Sequence, residues 1–577
     1  MKTIEKLAEL RKIMLAKSID AFVVYSADPH MSEYLPTEWQ ERSWLSGFTG
    51  SAGFVVVTKD KAGLWTDGRY FVQANKELEG STIELMKMGV EGTPDYIDWI
   101  IANIPANGKV AVNALATAHA NWELLKNQLS AKGLSLVNQP LLKDIWINRV
   151  EVVEKNLVFV QPVERAGKSV ADKLADIRKE MKKQEVTAHV IGSLDDVAWT
   201  LNLRGSDVEC NPVFLGYILL KLDRVVLFVD LEKLNDEAKA SMKKEGVELK
   251  PYEAFFSELE TLKNETFLIS ATTNQSVFDT LEKNNKIKVG AVPGNLMKAQ
   301  KNEVELEGFR IAMERDGVAL VKFFHWLTHN VGKEKMDEYS IGEKLEAFRA
   351  EGDNFVGISF GSIIGYKGNG AIVHYSAKKD DCKEVTNDGS ILIDSGGQYL
   401  EGTTDITRTL ALGKVSDEFK RDTTLVLKGM IQLTMAKFPK GTKGVHLDAI
   451  ARLPLWKESK DYAHGTGHGV GSFMNVHEGP QNIRKDMNNQ DLMVGMVCSD
   501  EPGYYLEDKY GIRHENLVAV KEIETTGSGT FYGFETLTIC PFFNDTFVIE
   551  MLSEEERKWL NDYHQFCKDK LEKHLEG

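Results

Sequence analysis

The sequence Ser390-Ile-Leu-Ile-Asp394-Ser-Gly396 ends an apolar run on an aspartate and opens the part of the chain that decides the fold and the chemistry. Downstream, further acidic residues and a histidine lie beside apolar runs or in glycine-rich turns. Their segments are Gly402-Thr-Thr-Asp405-Ile-Thr-Arg408, His464-Gly-Thr-Gly-His468-Gly-Val-Gly471, Asp500-Glu501-Pro-Gly503 and Arg513-His-Glu515-Asn516. Carboxylates with an imidazole are ligands for hard divalent cations. The predicted metal ligands are Asp394, Asp405, His468, Glu501 and Glu515.

The charge of this set predicts two metal ions. Four carboxylates in an apolar core would repel one another and protonate, because an unpaired buried charge costs several kcal/mol. Two divalent cations supply the positive charge that is needed. A pair roughly 3.5 to 4 Å apart, bridged by carboxylates, activates a water and polarises a carbonyl, which predicts metal-assisted hydrolysis. Oxygen ligands with one imidazole suit Mn²⁺ and tolerate Co²⁺, Fe²⁺ or Zn²⁺.

Each of these residues has a structural explanation when it is considered alone. An aspartate at a strand end is more often a turn or capping residue, so the metal-site interpretation depends on the joint occurrence. The segments 390–394 and 404–412 are typical of strands, so Asp394 and Asp405 can face each other across a hairpin. Strand alternation puts Arg513 and Glu515 on one face and His514 on the other. His514 is therefore predicted not to be a ligand.

The glycine-rich stretch 464–471 admits two interpretations. A nucleotide-binding loop is disfavoured, because the stretch has no Lys-Ser/Thr ending and does not open a helix. We expect instead that its glycines let the backbone come close to metal or substrate.

Three further histidines accompany the predicted ligands: His374, His464 and His477. Each alone is more simply a core or loop histidine whose ring nitrogens are hydrogen-bonded. Beside a metal-activated hydroxide, they would stabilise the tetrahedral intermediate and move protons to the leaving amine. We therefore predict that they are catalytic residues.

The composition of the 577 residues, with 27% charged and 42% hydrophobic, predicts a soluble globular protein of several domains. The net charge of −16 argues against general binding to nucleic acid or anionic membranes. The 5 cysteines are odd in number and lack Cys-x-x-Cys spacing, which indicates a reducing compartment. The N-terminus does not read as a signal peptide, and no apolar stretch approaches the roughly 20 residues of a membrane span. We expect a cytoplasmic protein.

The succession of elements predicts an α/β protein. A helix and a strand at 21–25 open the chain, and a similar pattern restarts near residue 150 with a helix at 170–181 and a strand at 188–191. A long helix N-capped by Asn302 precedes the predicted site. Near the C-terminus, Ser553-Glu-Glu-Glu556 predicts a capping box before a packing or docking helix. The predicted domains are 1–152, 153–301 and 302–577.

Nine motifs follow one another along the chain: Ser46-Gly-Phe-Thr-Gly-Ser-Ala-Gly53, Trp65-Thr-Asp-Gly-Arg-Tyr-Phe71, Val373-His374-Tyr375, Asp394-Ser-Gly-Gly-Gln-Tyr399, Gly402-Thr-Thr-Asp405-Ile-Thr-Arg-Thr409, His464-Gly-Thr-Gly-His468-Gly-Val-Gly-Ser-Phe473, Asn475-Val-His477-Glu-Gly-Pro480, Asp500-Glu501-Pro-Gly-Tyr-Tyr505 and Gly511-Ile-Arg-His-Glu515-Asn516. Taken in order, these motifs resemble those of the pita-bread metallopeptidase superfamily, and most closely the long cytosolic three-domain Xaa-Pro aminopeptidases. The resemblance implies two related creatinase-N-like α/β domains followed by a pita-bread catalytic domain.

The resemblance also implies a dinuclear, usually manganese, enzyme that removes the N-terminal residue of peptides whose second residue is proline. Asp405 and Glu515 would bridge the two metal ions. His374, His464, His477 and Arg513 would line the substrate site. We hypothesise that a hydroxide bridging the ions attacks the Xaa-Pro carbonyl while Glu501 or a nearby histidine relays a proton to the proline nitrogen. A homodimer is implied as well.

His514 stands where the family usually has an apolar residue, and we expect it on the outward face of its strand, where it would alter packing and not chemistry.

Three alternatives remain. Prolidase shares the catalytic fold and cleaves dipeptides that end in proline. It is disfavoured because prolidase-like chains have one domain before the catalytic domain, whereas two are predicted here. A non-catalytic peptide- or histone-binding module of this fold would lack the metal ligands, whereas all five are present in this sequence. A metal-free creatinase-like C–N hydrolase is disfavoured because the same five ligands are present.

Overall fold

The computed structural model describes residues 1–149 and 157–575. By their contacts these residues form two compact units, the first made of Met1–Gln161, Lys168–Glu209 and Val213–Gly294 and the second of Pro162–Gly167, Cys210–Pro212 and Asn295–Gly577. The predicted domain boundary at 152 lies outside the described residues, and the one at 301 stays a prediction.

The first unit begins with a six-stranded sheet. Its strands are β1 (Ala21–Tyr25), β2 (Phe54–Thr58), β3 (Ala62–Thr66), β4 (Glu84–Lys87), β5 (Lys109–Val112) and β6 (Ser135–Asn138). The accompanying helices are α1 (Thr3–Ala16), α2 (Glu41–Ser46), α3 (Phe71–Glu77), α4 (Tyr96–Asn103) and α5 (His119–Ser130). Side chains alternate along β1, so Phe22 packs in a cluster with Leu10 of α1 and Val23 in another with Leu125 of α5. The sheet is therefore buried on both faces.

A second sheet follows in the same unit. The strands of this part of the chain are β7 (Phe159–Val160), β8 (Ala188–Ile191), β9 (Leu203–Arg204), β10 (Gly216–Lys221), β11 (Val225–Val229), β12 (Glu248–Pro251), β13 (Thr266–Ile269) and β14 (Lys286–Val289). The helices of this part of the chain are α6 (Val163–Ala166), α7 (Val170–Lys183), α8 (Leu194–Thr200), α9 (Asp236–Lys244), α10 (Ala254–Thr261), α11 (Gln275–Leu281) and α12 (Pro293–Ala299). By its contacts α6 belongs to the second unit, and α12 begins in the first unit and ends in the second. The short strands β7 and β9 pair with each other outside the main sheet.

The two sheets share one topology, which confirms the predicted pair of related domains. Their strand orders are β4-β3-β2-β1-β5-β6 and β12-β11-β10-β8-β13-β14. In the first sheet β1 pairs antiparallel with β2 and parallel with β5, and in the second sheet β8 pairs antiparallel with β10 and parallel with β13. The directions of the remaining pairs also correspond.

The second unit holds the segment that carries the predicted ligands. Its strands are β15 (Phe355–Ile358), β16 (Ile363–Tyr366), β17 (Ser390–Ser395), β18 (Gly397–Tyr399), β19 (Gly402–Thr403), β20 (Ile406–Ala411), β21 (Phe438–Pro439), β22 (Gly467–Gly469), β23 (Glu478–Ile483), β24 (Val497–Asp500), β25 (Gly503–Leu506), β26 (Tyr510–Arg513), β27 (Asn516–Thr526) and β28 (Gly529–Thr536). Its helices are α13 (Glu303–Asn330), α14 (Glu338–Ala350), α15 (Asp417–Thr434), α16 (Gly444–Trp456) and α17 (Glu554–Leu575).

Local signals define two of these helices as predicted. The side chain of Asn302 accepts a hydrogen bond from the Glu305 nitrogen at 3.0 Å and caps α13. At α17, Glu556 N donates to Ser553 Oγ at 3.2 Å while Ser553 N donates to the Glu556 carboxylate at 2.7 Å. The apolar side of α17 shares a core with α13, and this burial fixes the C-terminal helix on the unit.

Among the described residues, we find no helix with the length and apolar character of a membrane span.

Candidate metal centre

Two antiparallel strands bring the predicted aspartates to one end of a sheet. Strand β17 pairs with β20 so that Asp394 lies opposite Thr407. Asp405 immediately precedes β20, and the short strands β18 and β19 intervene between the two long ones. The hairpin-like arrangement expected from the sequence is thus realised through a longer excursion of the chain.

Three predicted ligands form one close group. Single donor atoms of Asp405, His468 and Glu515 all lie within 4.8 Å of one another. His468 Nε2 is 3.4 Å from Asp405 Oδ2 and also 3.4 Å from Glu501 Oε1. Four of the five predicted ligands therefore lie close together: His468, Asp405, Glu515 and Glu501.

The orientation of the His468 ring leaves one nitrogen directed at these carboxylates. Nδ1 lies 2.9 Å from the carbonyl oxygen of Gly469. Since a carbonyl only accepts, Nδ1 carries a hydrogen, and Nε2 is the nitrogen left to bind a metal. The His468 backbone nitrogen also donates to Ser499 Oγ at 2.9 Å, and Ser499 Oγ in turn donates to Glu501 Oε1 at 3.0 Å.

The fifth residue, Asp394, is held by Arg513. The guanidinium donates to Asp394 Oδ2 from Nη2 at 2.6 Å and from Nε at 3.2 Å. The other oxygen, Oδ1, is buried and has no hydrogen-bond partner among the described residues. A buried carboxylate oxygen without a donor is the position that a cation would fill, so the residues present fit a metal.

Thr407 connects Asp394 with Glu515. Its hydroxyl donates to Glu515 Oε2 at 2.7 Å, and Arg513 Nε lies 3.3 Å from the same hydroxyl oxygen. Arg513 and Glu515 thus converge on one side chain, as expected from their spacing of two residues.

The electrostatics of the group demand a positive charge. Burial raises the pKa of Asp394, although Arg513 opposes it, and burial raises the pKa of Glu501 to about 7. Burial and then the neighbouring Asp405 raise the pKa of Glu515 well above its ordinary value. Burial acts to lower the pKa of His468, but Asp405 and Glu501 outweigh it and raise that pKa to about 9. Protons stay on these groups unless cations replace them.

Arg513 supplies part of the charge that the carboxylates require. Because the Arg513 guanidinium neutralises part of the charge of Asp394, counting the carboxylates alone does not fix the number of metal ions.

The three companion histidines, or their neighbours in the chain, are connected to the group through different contacts. The His477 ring packs edge-on against His468 with centroids 4.3 Å apart. His464 Nε2 lies 2.7 Å from Tyr505 OH, which accepts from Arg513 Nη1 at 2.6 Å. His374 directly follows Val373, whose carbonyl oxygen is 3.4 Å from Arg513 Nη2. Arg513 is therefore the link between Asp394 and the segments of two of these histidines.

Tyr505, Thr407 and Ser499 orient the predicted ligands but were not identified from the sequence. A signal existed for Tyr505, because it ends the motif that contains Glu501. Thr407 was also accessible, since it is two residues after Asp405 and shares its strand face. Ser499 gives no such signal, because its role depends on the pairing of β22 and β24.

The glycine-rich stretch has a packing role that the sequence did not indicate, and its approach to metal or substrate stays a prediction. A Cβ on Gly467 would lie 2.0 Å from the carbonyl oxygen of Ser499, and one on Gly469 would lie 2.3 Å from that of Glu478. These glycines let neighbouring strands of the sheet approach each other closely, and the close packing of backbone against backbone positions His468.

His514 points away from the group but not outward to solvent. It is fully buried, its Nε2 lies 2.9 Å from Thr423 Oγ1, and its ring packs against Phe542 and Phe547. Burial, assisted by Arg408, lowers its pKa to about 3. A neutral imidazole thus fills a position in the core, and the expected outward face was wrong.

Family models match two N-terminal domains and a C-terminal catalytic region, in the same order along the chain as the two six-stranded sheets and the segment that carries the predicted ligands. Residues 307–522 match the metallopeptidase family M24, and residues 530–577 match the C-terminal region of peptidase M24. Residues 6–142 and 149–305 each match the Creatinase/Prolidase N-terminal domain.

Individual proteins extend this similarity to the full length. A protein named "Probable Xaa-Pro aminopeptidase P" from Laccaria bicolor is 44% identical over 100% of this chain and 91% of its own. The crystal structure of X-prolyl aminopeptidase from Caenorhabditis elegans, described as a cytosolic enzyme with a di-nuclear active site, is 33% identical with a TM-score of 0.95. That similarity covers 100% of this chain and 97% of the other. The prolidase from Pyrococcus furiosus, 23% identical with a TM-score of 0.51, covers 63% of this chain and 98% of its own and shares the fold.

Proposed function

The chain belongs to metallopeptidase family M24, and we propose that the group around His468 is the metal centre with which it hydrolyses the N-terminal Xaa-Pro bond of peptides. It is a metalloaminopeptidase, as the full-length similarity to proteins named Xaa-Pro aminopeptidase P indicates. The observation that carries the site assignment is the convergence of Asp405, His468 and Glu515 within 4.8 Å. The proposed substrates are peptides with proline at the second position.

The proposed ligands for two divalent cations are Asp394, Asp405, His468, Glu501 and Glu515. We propose Mn²⁺, with Co²⁺, Fe²⁺ or Zn²⁺ as tolerated replacements, because oxygen donors dominate the set. Asp405 and Glu515 are the proposed bridging residues. When bound, the two ions supply a water-derived nucleophile at neutral pH and polarise the scissile carbonyl.

The chain's own residues hold this centre in position. Arg513 fixes Asp394 through two hydrogen bonds, and Thr407 fixes Glu515 through one. The carbonyl of Gly469 keeps the hydrogen of His468 on Nδ1. Each contact restrains a ligand before a cation binds, which lowers the cost of organising the centre.

His464 has both ring nitrogens engaged. Since an arginine only donates, Tyr505 OH accepts from Arg513, and we propose that its own hydrogen goes to His464 Nε2. His464 Nδ1 then donates to the carbonyl of Gly465 at 2.7 Å. We therefore propose that this imidazole is neutral and orients Tyr505 and Arg513 at the substrate site.

The leaving proline nitrogen carries no hydrogen in the substrate, so a proton must reach it from the site or from solvent. We propose that Glu501, His374 or His477 delivers it. Glu501 lies beside His468, and His477 packs on the same ring. Glu501→Gln with near-normal turnover and both metal ions bound would remove Glu501 from this role.

The test of the function is hydrolysis of an Xaa-Pro-Yaa tripeptide by chelator-stripped protein before and after addition of Mn²⁺. An Asp405→Asn variant and the matching Xaa-Ala-Yaa peptide serve as controls. We expect release of the free N-terminal residue only with metal, only from the proline peptide and only by the unmutated protein. Metal-loaded protein that cleaves an Xaa-Pro dipeptide but not the tripeptide would reassign it as a prolidase.

We further propose that the protein is a cytoplasmic homodimer without a nucleic-acid partner. The C. elegans neighbour is described as cytosolic, and the net charge of −16 disfavours polyanions. Light scattering coupled to size exclusion measures the mass, and one chain per particle would contradict the dimer.

A further inference from the structure

A carboxylate outside the proposed ligand set lies fully buried at the start of α14. Glu338 is 0% exposed and is the first residue of that helix. Its oxygens accept hydrogen bonds from Tyr366 N at 2.7 Å, Asn369 Nδ2 at 3.0 and 2.9 Å, Tyr375 OH at 2.7 Å and Lys383 N at 2.9 Å. A carboxylate that accepts only, placed at a helix N-terminus, suits this set of donors.

All four donor residues belong to the segment 366–383, and this segment carries His374. Tyr366 and Lys383 lie near its two ends, while Tyr375 immediately follows His374. The backbone nitrogen of Glu338 also donates to Lys383 O at 3.1 Å. One side chain therefore fixes both ends of the segment and the residue next to the histidine.

The other side of the segment is packed against β26 and the turn before it. A Cβ on Gly370 would lie 3.0 Å from the nitrogen of Gly511, and one on Gly368 would lie 2.9 Å from the backbone of Asp508. Arg513 Nη2 also contacts Val373 O at 3.4 Å. The segment is thus held between Glu338 and the strand that supplies Arg513, and loss of one side would let His374 move.

We propose that Glu338 is a positioning residue for the Xaa-Pro reaction, which acts by holding the backbone and Tyr375 around His374. The inference rests on the proposed function, since it assigns Glu338 a role in the same site. A glutamine has the same shape but must direct an amide N–H at donors that already need an acceptor, so Glu338→Gln breaks part of the network. Burial and then the bond to Glu338 raise the pKa of Tyr375, which keeps its hydroxyl a donor.

The test is a double-mutant cycle measured as kcat and KM with an Xaa-Pro-Yaa peptide on metal-loaded protein. We expect Glu338→Gln to lower kcat/KM roughly tenfold to a hundredfold, mainly through kcat, because a small displacement of a reacting group has effects of this size. In a His374→Ala background the same change should have an effect of less than about twofold. Tyr375→Phe, which removes one donor, should give a smaller loss with the same dependence on His374.

Glu556→Gln is the matched control. Glu556 is also a buried carboxylate at the start of a helix, where Lys428 and Gln432 donate to it. The substitution Glu556→Gln should lower the melting temperature without changing kcat/KM. An effect of Glu338→Gln that is undiminished without His374, or no larger than that of Glu556→Gln, would overturn the proposal.

Hydrogen exchange separates this proposal from the proposed function. Peptides covering 366–383 should exchange faster in Glu338→Gln than in the unmutated protein, with the metal content unchanged. Unaltered exchange would overturn the positioning role whether or not the protein cleaves peptides. Absence of cleavage by metal-loaded unmutated protein would instead overturn the proposed function.

Discussion

Arg513 determines where the carboxylate of Asp394 lies, because it binds one oxygen and leaves the other without a donor. The same guanidinium contacts Tyr505 and the backbone of Val373. A planar fork with several donors can make these contacts at once, whereas a lysine ammonium cannot. The charge of Arg513 and the shape of its guanidinium therefore contribute separately to holding Asp394, Tyr505 and Val373 in position.

We predict that Arg513→Lys lowers kcat/KM roughly tenfold to a hundredfold and weakens metal binding, although the charge is kept. Kinetics and metal content by mass spectrometry measure the two effects. Arg310→Lys is the matched control, since Arg310 binds Glu535 through Nε and Nη2 outside the metal centre. Equal activity of the two variants would contradict the role of the Arg513 fork.

The raised pKa values predict how the metal-free protein responds to pH. The pKa of Glu501 rises from 4.5 to about 7 through burial, and that of His468 rises from 6.5 to about 9. Between about pH 4.5 and 9 these two groups thus hold more protons in the folded state than in the unfolded state, so their contribution to the free energy of unfolding falls as pH rises. His189 and His514, whose pKa values burial lowers, contribute with the opposite sign. The shift of Glu501 alone corresponds to a few kcal/mol.

The measurement is thermal unfolding of chelator-stripped protein at pH 5.5 and pH 8. We expect the change in melting temperature from pH 5.5 to pH 8 to be more negative in the unmutated protein than in Glu501→Gln, because only the unmutated protein loses the proton of Glu501 in this range. In the metal-loaded protein cations replace the protons, so this dependence should weaken or reverse. The same pH dependence in the unmutated protein and in Glu501→Gln would contradict the charge crowding.

At the scale of elements, the glycine-rich stretch sets the position of His468 through backbone packing. Gly467→Ala would place a Cβ 2.0 Å from the carbonyl oxygen of Ser499, and no side-chain rotation can relieve that overlap. We predict a loss of about 2 to 4 kcal/mol in the free energy of unfolding and weaker metal binding. Denaturant unfolding and a metal titration measure these effects.

Gly361→Ala is the control for this prediction, because a Cβ there has nothing within 4 Å. It should leave stability and metal binding nearly unchanged. If Gly467→Ala is as stable as Gly361→Ala, the close approach of these strands does not constrain the site.

Elements with strong local signals were predictable from the sequence. The strands β1 and β8 have the expected bounds, and the caps at Asn302 and Ser553 lie where they were predicted, since each depends on neighbouring residues. The contacts of Ser499 and His514 were not, because they depend on pairing between distant strands or on packing against α15. The packing role of Gly467 and Gly469 was not predictable for the same reason.

At the scale of the whole molecule, all five proposed ligands belong to the second compact unit, and both N-terminal sheets belong to the first. A cation that binds only the folded state stabilises it by about 2.7 kcal/mol at a hundredfold excess over Kd. This stabilisation acts on the unit that contains the site. Metal removal should therefore affect the two units unequally.

We predict that chelation accelerates hydrogen exchange in peptides from 295–575, most strongly around Asp394, Asp405 and Glu515, and leaves peptides from 1–149 unchanged. Restoring Mn²⁺ should reverse the effect, and Asp405→Asn protein should show fast exchange in the second unit even with Mn²⁺ present. The Asp405→Asn protein also controls for direct action of the chelator, which should not alter its exchange further. Equal acceleration in both units would mean that the metal stabilises the chain as one cooperative body, and that its effect extends beyond the unit that holds the ligands.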